Sequence, residues 1–221
     1  TAHALARDGD IWRVLAPDGA LIASAPVVVL ANSHDAIRLV PLGTELKRVR
    51  GQLTLLPAGS LPHLRAVLAG AGHLVPAGNG AAVAGATYDF EDEDAAPSAE
   101  GNAGNLARLE RLLPGRATRF DPAQLTGAVG FRCVAPDRLP LIGALPDAGA
   151  APSVARARDL PRLNGLYGAF GYASRGLTWA LLGGELIASA VAGEPLPLEG
   201  DLADAIDPAR FLLRRARRGK F

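Results

Sequence analysis

Two short alternating segments, Ile11 to Leu15 and Ala20 to Ser24, flank Pro17-Asp18-Gly19 and predict a β-hairpin closed by that turn. Val27 to Leu30 is a continuous apolar run, the pattern of a strand covered on both faces. It ends in Ala31-Asn32-Ser33, small and polar residues that let backbone approach a ligand, and a short helix is expected over Asp35 to Leu39. Further strands are expected at Leu46 to Leu56, Ala66 to Ala69, His73 to Pro76, Ala81 to Ala84 and Thr126 to Val134. Together they predict one broad, mainly antiparallel sheet. Ser98 is a fitting N-cap for a helix through Asn105, Leu106, Leu109, Leu112 and Leu113, whose apolar spacing is three and four, and Pro114-Gly115 ends it. The acidic run Asp89 to Asp94 reads as a loop, and Asp147 to Arg158 as an exposed excursion. A helix from Gly176 is expected to stop at Gly193, and a last one to open at Asp207-Pro208. The fold class is therefore α+β, a mainly antiparallel sheet with flanking helices.

The chain has 221 residues, 49% of them hydrophobic and 20% charged, which places it among soluble globular proteins and excludes disorder. No segment reads as membrane-spanning, because the longest apolar run, around Leu177 to Ala192, is broken by Gly183, Gly184 and Glu185. The single cysteine, Cys133, permits no internal disulfide and is compatible with the cytoplasm. There is no methionine, so the chain reads as a piece of a longer protein. Net charge is +1, but Arg210, Arg214, Arg215, Arg217, Arg218 and Lys220 form a basic tail with no acidic residue, leaving 17 basic against 22 acidic residues before it. Such a tail suits either a polyanion such as RNA or a solvated helix end.

No Gly-x-Gly-x-x-Gly follows a strand, so the phosphate cradle of a dinucleotide-binding unit is missing. His3, His34, His63 and His73 lack metal-ligand spacing, and no metal is expected. Cys133 has no histidine near it in sequence and reads as an ordinary buried thiol. Arg132 is different. Flanked by Phe131, Cys133 and Val134, it must find an anionic partner or a wet cavity, since an unpaired buried guanidinium costs several kcal/mol. Asp137 can supply that partner, or pair with Arg138 instead; alternatively Arg132 forks onto a substrate carboxylate, a two-point match that lysine cannot make.

Gly130 to Gly143 resembles the G-x-R-x-x-x-x-D-x-x-P-x-x-G segment of the D-amino-acid oxidase and glycine oxidase superfamily, in which the arginine holds the substrate carboxylate. Across nearly the whole chain the resemblance narrows to the flavin-dependent half of the bifunctional proteins that build methylaminomethyl-thiouridine in tRNA. It is carried by Arg50-Gly51-Gln52, Gly85 to Asp89, Asn105-Leu106, Arg132-Cys133, Asp137 to Pro140, Ser174-Arg175-Gly176-Leu177, Gly193 to Pro197 and Asp207-Pro208-x-Arg210-Phe211.

This resemblance implies FAD as cofactor in the full-length protein, with Ala31, Asn32, Gly143, Gly171, Tyr172, Ala173, Ser174, Arg175, Gly176, Leu177 and Thr178 near it and Arg132 and Arg175 at the substrate. The substrate implied is a carboxymethylaminomethyl group in a tRNA anticodon loop, with Arg214, Arg215, Arg217 and Arg218 on RNA phosphates and a methyltransferase half in the same full-length chain. The first flavin-binding βαβ unit is not in this sequence, so the fragment is expected to lack FAD and activity. The division expected is a remnant of the FAD-binding domain (1–45), a substrate-binding sheet domain (46–160) and a flavin-contacting helix with the basic tail (161–221). Two other readings are a glycine- or sarcosine-type FAD amino-acid oxidase and a non-catalytic RNA-binding or interaction module.

Overall fold

The protein, seen as a computed structural model, is described over residues 1–61, 63–149 and 156–218. It divides into two compact units, one of Thr1–Lys47 with Cys133–Phe221 and one of Arg48–Arg132. The expected division at 45 and 160 gives way to this one because strands after Cys133 pair with a strand near the N-terminus, which no local pattern announces.

In the first unit, β1 (Ala4–Asp8), β2 (Ile11–Leu15) and β3 (Leu21–Ala25) form an antiparallel sheet in that order. The β2–β3 hairpin is the one the proline-glycine turn predicts. β1 is additional, in register from Ala4 opposite Leu15 to Asp8 opposite Ile11. Trp12 is buried, and its indole N–H donates to the Asn164 carbonyl at 2.8 Å. The apolar run ends as β4 (Val28–Leu30), followed by a 3₁₀ turn over Ser33–Asp35 and a one-turn helix, α1 (Ala36–Leu39).

The second unit holds β5 (Lys47–Leu56), β6 (Leu68–Ala69), β7 (His73–Pro76), β8 (Ala82–Gly85), α2 (Ala99–Leu112) and β9 (Gly127–Val134). The strands expected at these positions form one five-stranded sheet, and their order in it is β6-β7-β8-β5-β9. Ser98 caps α2, its side chain accepting from the Gly101 N–H at 3.0 Å. Leu106 and Leu109 then pack on Leu56, Leu74, Ala82 and Ala84. Beside this apolar patch the helix is fastened by buried amides. Gln52 Nε2 donates to Asn102 Oδ1 at 2.9 Å and to the Ser98 carbonyl at 2.8 Å, while Asn105 Nδ2 donates to the Gln52 carbonyl at 2.8 Å. Apart from Asn105 Oδ1, which has no hydrogen-bond partner, these buried amide groups are paired, and they specify one docking register where leucines alone would permit several.

The first unit resumes with β10 (Leu141–Pro146), β11 (Arg162–Phe170), α3 (Gly176–Ala192), α4 (Gly200–Ile206) and α5 (Arg210–Arg217). Its second sheet runs β10-β11-β4, with β11 antiparallel to β10 and parallel to β4. β4 is thus an edge strand, and Val29 is 43% exposed, which corrects the expectation of a strand covered on both faces. Leu30, Leu141, Leu145, Leu166 and Phe170 form the core behind it with Trp12 and Phe211. α3 stops at Gly193, whose φ of 72° is the left-handed cap expected there. Of the excursion expected at Asp147 to Arg158, residues 150–155 lie outside the described part. Asp147 to Gly149, Arg156 and Arg158 are exposed as expected, and Ala157, which opens a 3₁₀ turn over Ala157–Asp159, is the one buried residue among the described part of the segment.

Candidate functional site

The parallel pair β4 and β11 places two loops side by side at its carboxyl ends, the position where open α/β sheets take ligands. One loop is Ala31-Asn32-Ser33, whose first two residues are exposed. The other is Gly171 to Arg175, which feeds α3. The buried Cys133 joins them, its thiol beside Ser33 and the Gly171 backbone and its carbonyl accepting from the Ala173 N–H at 3.0 Å. Burial raises the thiol's pKa, which suits packing rather than nucleophilic attack.

α3 begins without a side-chain cap and without an acidic residue in its first turn. The N–H groups of Gly176 and Leu177 therefore open the helix with its positive dipole end, beside a loop of small residues. Leu177 is 96% exposed, and Ser174, Arg175 and Thr178 are also exposed. These residues fit the electron-rich edge of a flavin ring, which needs N–H donors and little side-chain bulk. They contain no pyrophosphate cradle. Arg175 turns its guanidinium onto the Arg138 carbonyl at 2.8 Å. Tyr172 packs on α3, where a Cβ at Gly183 would stand 2.7 Å from its hydroxyl, and burial raises its phenol pKa. Gly143 is placed apart. It lines a cavity of about 300 Å³ with Leu186 and Ala190, ten or more residues into α3 and so about 15 Å along its axis.

Arg132 belongs to the second unit, where its guanidinium lies across β5. A Cβ at Gly51 would stand 2.1 Å from its Nη1, so only glycine leaves room for it. Nη1 donates to the Thr87 carbonyl at 3.2 Å and reaches the Arg50 carbonyl at 3.5 Å, and the Tyr88 ring centre lies 5.2 Å from Cζ. Arg50, next to Gly51 on β5, has a structural task. Buried, it donates to the Asp94 and Ala96 carbonyls at 2.7 and 2.6 Å and pairs with Asp92 at 3.3 Å, pinning the acidic loop.

Asp137, weighed above as a partner for Arg132 or Arg138, is taken by the C-terminal helix. Arg210 grips it with two bonds of 2.9 Å, and Arg214 adds one of 2.7 Å. Burial by itself would raise the Asp137 pKa, but the bonds and charge of Arg210, with Arg214 and the Leu139 N–H, outweigh it and hold the carboxyl at about 2. Arg210 is 4% exposed and also donates to the Ile206, Asp207 and Leu139 carbonyls, so it is removed from the basic surface. Arg214, Arg215, Arg217 and Arg218 are exposed on α5 and just beyond it, while Lys220 lies outside the described residues. Among the described residues, no group of three or more His, Cys, Asp or Glu is placed to hold a metal ion. None of their helices is long and apolar enough to cross a membrane.

Gly51, Tyr88 and Arg210 are absent from the sequence-derived site. Gly51 had a signal, a glycine inside a strand, which marks close approach of another group. Arg210 stood out in the basic tail and in the resemblance, but nothing local marked its pairing with Asp137, which lies 73 residues away.

A sequence model of the FAD dependent oxidoreductase family matches residues 1–190. The chain is 55% identical over 225 aligned positions to the "tRNA 5-methylaminomethyl-2-thiouridine biosynthesis bifunctional protein MnmC" of Burkholderia mallei (strain SAVP1), and equally to that of Burkholderia pseudomallei (strain 668). Each alignment covers 98% of this chain and 34% of the relative, so the chain spans about a third of the length of the curated relatives it matches. In fold it is similar to glycine oxidase from Geobacillus kaustophilus, with a TM-score of 0.73 and 23% identity over 95% of this chain and 52% of that one. Iminodiacetate oxidase from Chelativorans sp. BNC1 gives 0.69 and 22% over 93% and 52%.

Proposed function

The chain belongs to the FAD dependent oxidoreductase family, and from that premise we propose that it is the substrate-binding and ring-contacting part of a longer cytoplasmic tRNA-modifying oxidase. The reaction is removal of the carboxymethyl group from carboxymethylaminomethyl-uridine at the wobble position. With one water consumed, the products are aminomethyl-uridine and glyoxylate. When bound, FAD supplies the two-electron oxidation of the CH₂ between amine and carboxylate.

The observation that carries this reading is the placement of Arg132. Its guanidinium is half-buried, laid over Gly51 and oriented by the Thr87 carbonyl and the Tyr88 ring. A charge held this way is ready to take a carboxylate without first reorganising. Fixing the carboxylate fixes the CH₂ one bond away, so orientation and affinity come from one residue. Gly176 and Leu177 at the α3 terminus offer N–H donors that favour negative charge on a reduced ring, and Arg214, Arg215, Arg217 and Arg218 offer phosphate contacts to the tRNA. A methyltransferase part in the same polypeptide accords with the bifunctional relatives and their greater length.

The test is product analysis with the full-length polypeptide on tRNA carrying carboxymethylaminomethyl-uridine. Aminomethyl-uridine and glyoxylate in equal amounts, with bleaching of the flavin, are the expected result. Oxidation of free sarcosine or glycine with the tRNA left unchanged would assign the protein to the amino-acid oxidases instead. Tight tRNA binding with no flavin at all would make it a binding module.

A further inference from the structure

Tyr88, beside the Arg132 guanidinium, is one of a pair of exposed aromatic side chains with Phe90, and the reading above uses it only to orient the arginine. Tyr88 is 38% and Phe90 51% exposed, and their rings meet edge to face with centroids 5.2 Å apart. They project to one side because Asp89 between them bridges Arg50 in strand fashion, with bonds of 2.8 and 2.9 Å in both directions, and alternate residues share a face. The segment is rigid for the same reason. Buried Arg50 holds it through Asp92, Asp94 and Ala96, so the rings are displayed on a fixed loop. Exposed aromatics held in place lose little freedom on binding and give large contact area.

We propose that Tyr88 and Phe90 form the stacking platform for the pyrimidine base that carries the reacting side chain. This rests on the proposed tRNA-oxidase reading and names how that substrate's base is recognised. Dimensions agree with it. From C5 of the uracil to the carboxylate carbon there are four single bonds, about 5 Å when extended. The Arg132 Cζ to Tyr88 ring distance is 5.2 Å. A ring and a guanidinium this close can both be touched by one nucleoside that carries such a side chain.

Charge selects a base over the sugar-phosphate chain at this place. Tyr88 and Phe90 lie in a stretch that includes Asp89, Glu91, Asp92, Glu93 and Asp94. Arg50 balances only part of that charge, which repels phosphate but leaves a neutral π-face undisturbed. Free amino acids have no ring to stack, so the pair discriminates a nucleoside-borne amine from glycine or sarcosine. Wobble bases sit unpaired in an anticodon loop and can be presented without melting a helix.

The experiment measures binding rather than turnover, with oxygen excluded and ligand in excess so that each flavin oxidises at most one molecule. The full-length polypeptide is titrated by equilibrium dialysis with 5-carboxymethylaminomethyl-uridine and with sarcosine, which has the same N-alkylglycine group and no base. The nucleoside is expected to bind at least about tenfold more tightly, within the range one base–aromatic stack contributes. Phe90→Leu keeps apolar bulk and leaves Arg132 untouched. It should cut the preference to about twofold, with sarcosine affinity and flavin content unchanged, while Tyr88→Phe should retain it. The proposal is overturned if the parental protein shows no preference, if Phe90→Leu keeps it, or if both ligands weaken together. Flavin bleaching in the same cell reports separately on the reaction. Preference without bleaching would leave the platform standing and remove the proposed activity, and bleaching without preference would do the reverse.

Discussion

Gly51 and Arg132 occupy complementary space, the missing Cβ of the glycine being the room in which the guanidinium lies, 2.1 Å from where that atom would stand. The neighbour is the far end of a flexible side chain, so Gly51→Ala should move Arg132 rather than unfold the sheet. The expected outcome is a folded protein with a moderately lowered melting temperature, since overpacking a buried position costs about 1–3 kcal/mol and the displaced atoms belong to a side chain rather than backbone. Affinity for a carboxylate-bearing amine should nevertheless fall tenfold or more, because a misplaced orienting group costs out of proportion to its displacement. Parallel thermal melts and sarcosine titrations check this.

Arg132→Lys in the full-length polypeptide should keep fold and flavin but lower kcat and raise KM on the carboxymethylaminomethyl substrate. Lysine supplies the charge without the planar fork, so affinity and orientation both suffer. Parental kinetics in this variant would show that the carboxylate is held elsewhere.

Asp137 and Arg210 tie α5 to the loop after β9, and their pairing should appear as acid sensitivity. The Asp137 carboxyl lies at about 2 in the folded protein against 3.8 ordinarily. Its contribution is therefore complete above about pH 4 and is lost as pH falls towards 2. Allowing for solvent screening, this amounts to about 1–2 kcal/mol. Asp137→Asn should cost about 3 kcal/mol at neutral pH by stranding a buried guanidinium. Urea unfolding of both proteins at pH 7, 4 and 2 should show the gap between them narrowing across the lower interval. A gap constant down to pH 2 would mean that Asp137 gains nothing from Arg210.

Arg215→Gln, Arg217→Gln and Arg218→Gln together leave the Asp137 pairs intact and should weaken tRNA binding by the full-length polypeptide. Phosphate contacts release counterions, so the slope of log affinity against log salt should shrink by about two. Flavin content should not change. If slope and affinity are both unaffected, exposed α5 arginines serve solvation. Arg50 offers RNA nothing in any case, being buried among the carbonyls and carboxylates of its own loop.

The isolated 221-residue chain should bind FAD weakly or not at all. It offers N–H groups to the ring but no glycine-rich cradle to the pyrophosphate, and each missing charge-assisted bond is worth about 1.5–3 kcal/mol. A purified chain with stoichiometric yellow cofactor would contradict this.

Local patterns determined a large part of this molecule. The Pro17-Asp18-Gly19 hairpin, the strand from Lys47, the Ser98-capped helix and the glycine-stopped α3 depend on turn chemistry, capping and periodicity, which act between residues a few positions apart. Arg132 was legible as a residue needing an explanation, because a charge in an apolar strand is costly wherever the strand lies. Tertiary structure alone decided which charges are spent and which are offered. Asp137, close to Arg132 in sequence, is claimed by Arg210 from 73 residues away, and Arg50 is sealed by a loop 39 to 46 residues beyond it. β4, apolar enough to read as central, became an edge because its partner β11 arrives more than a hundred residues later and only on one side. Ion pairs and parallel strand pairings form between segments whose separation carries no periodicity, so their partners become known only when the chain is folded.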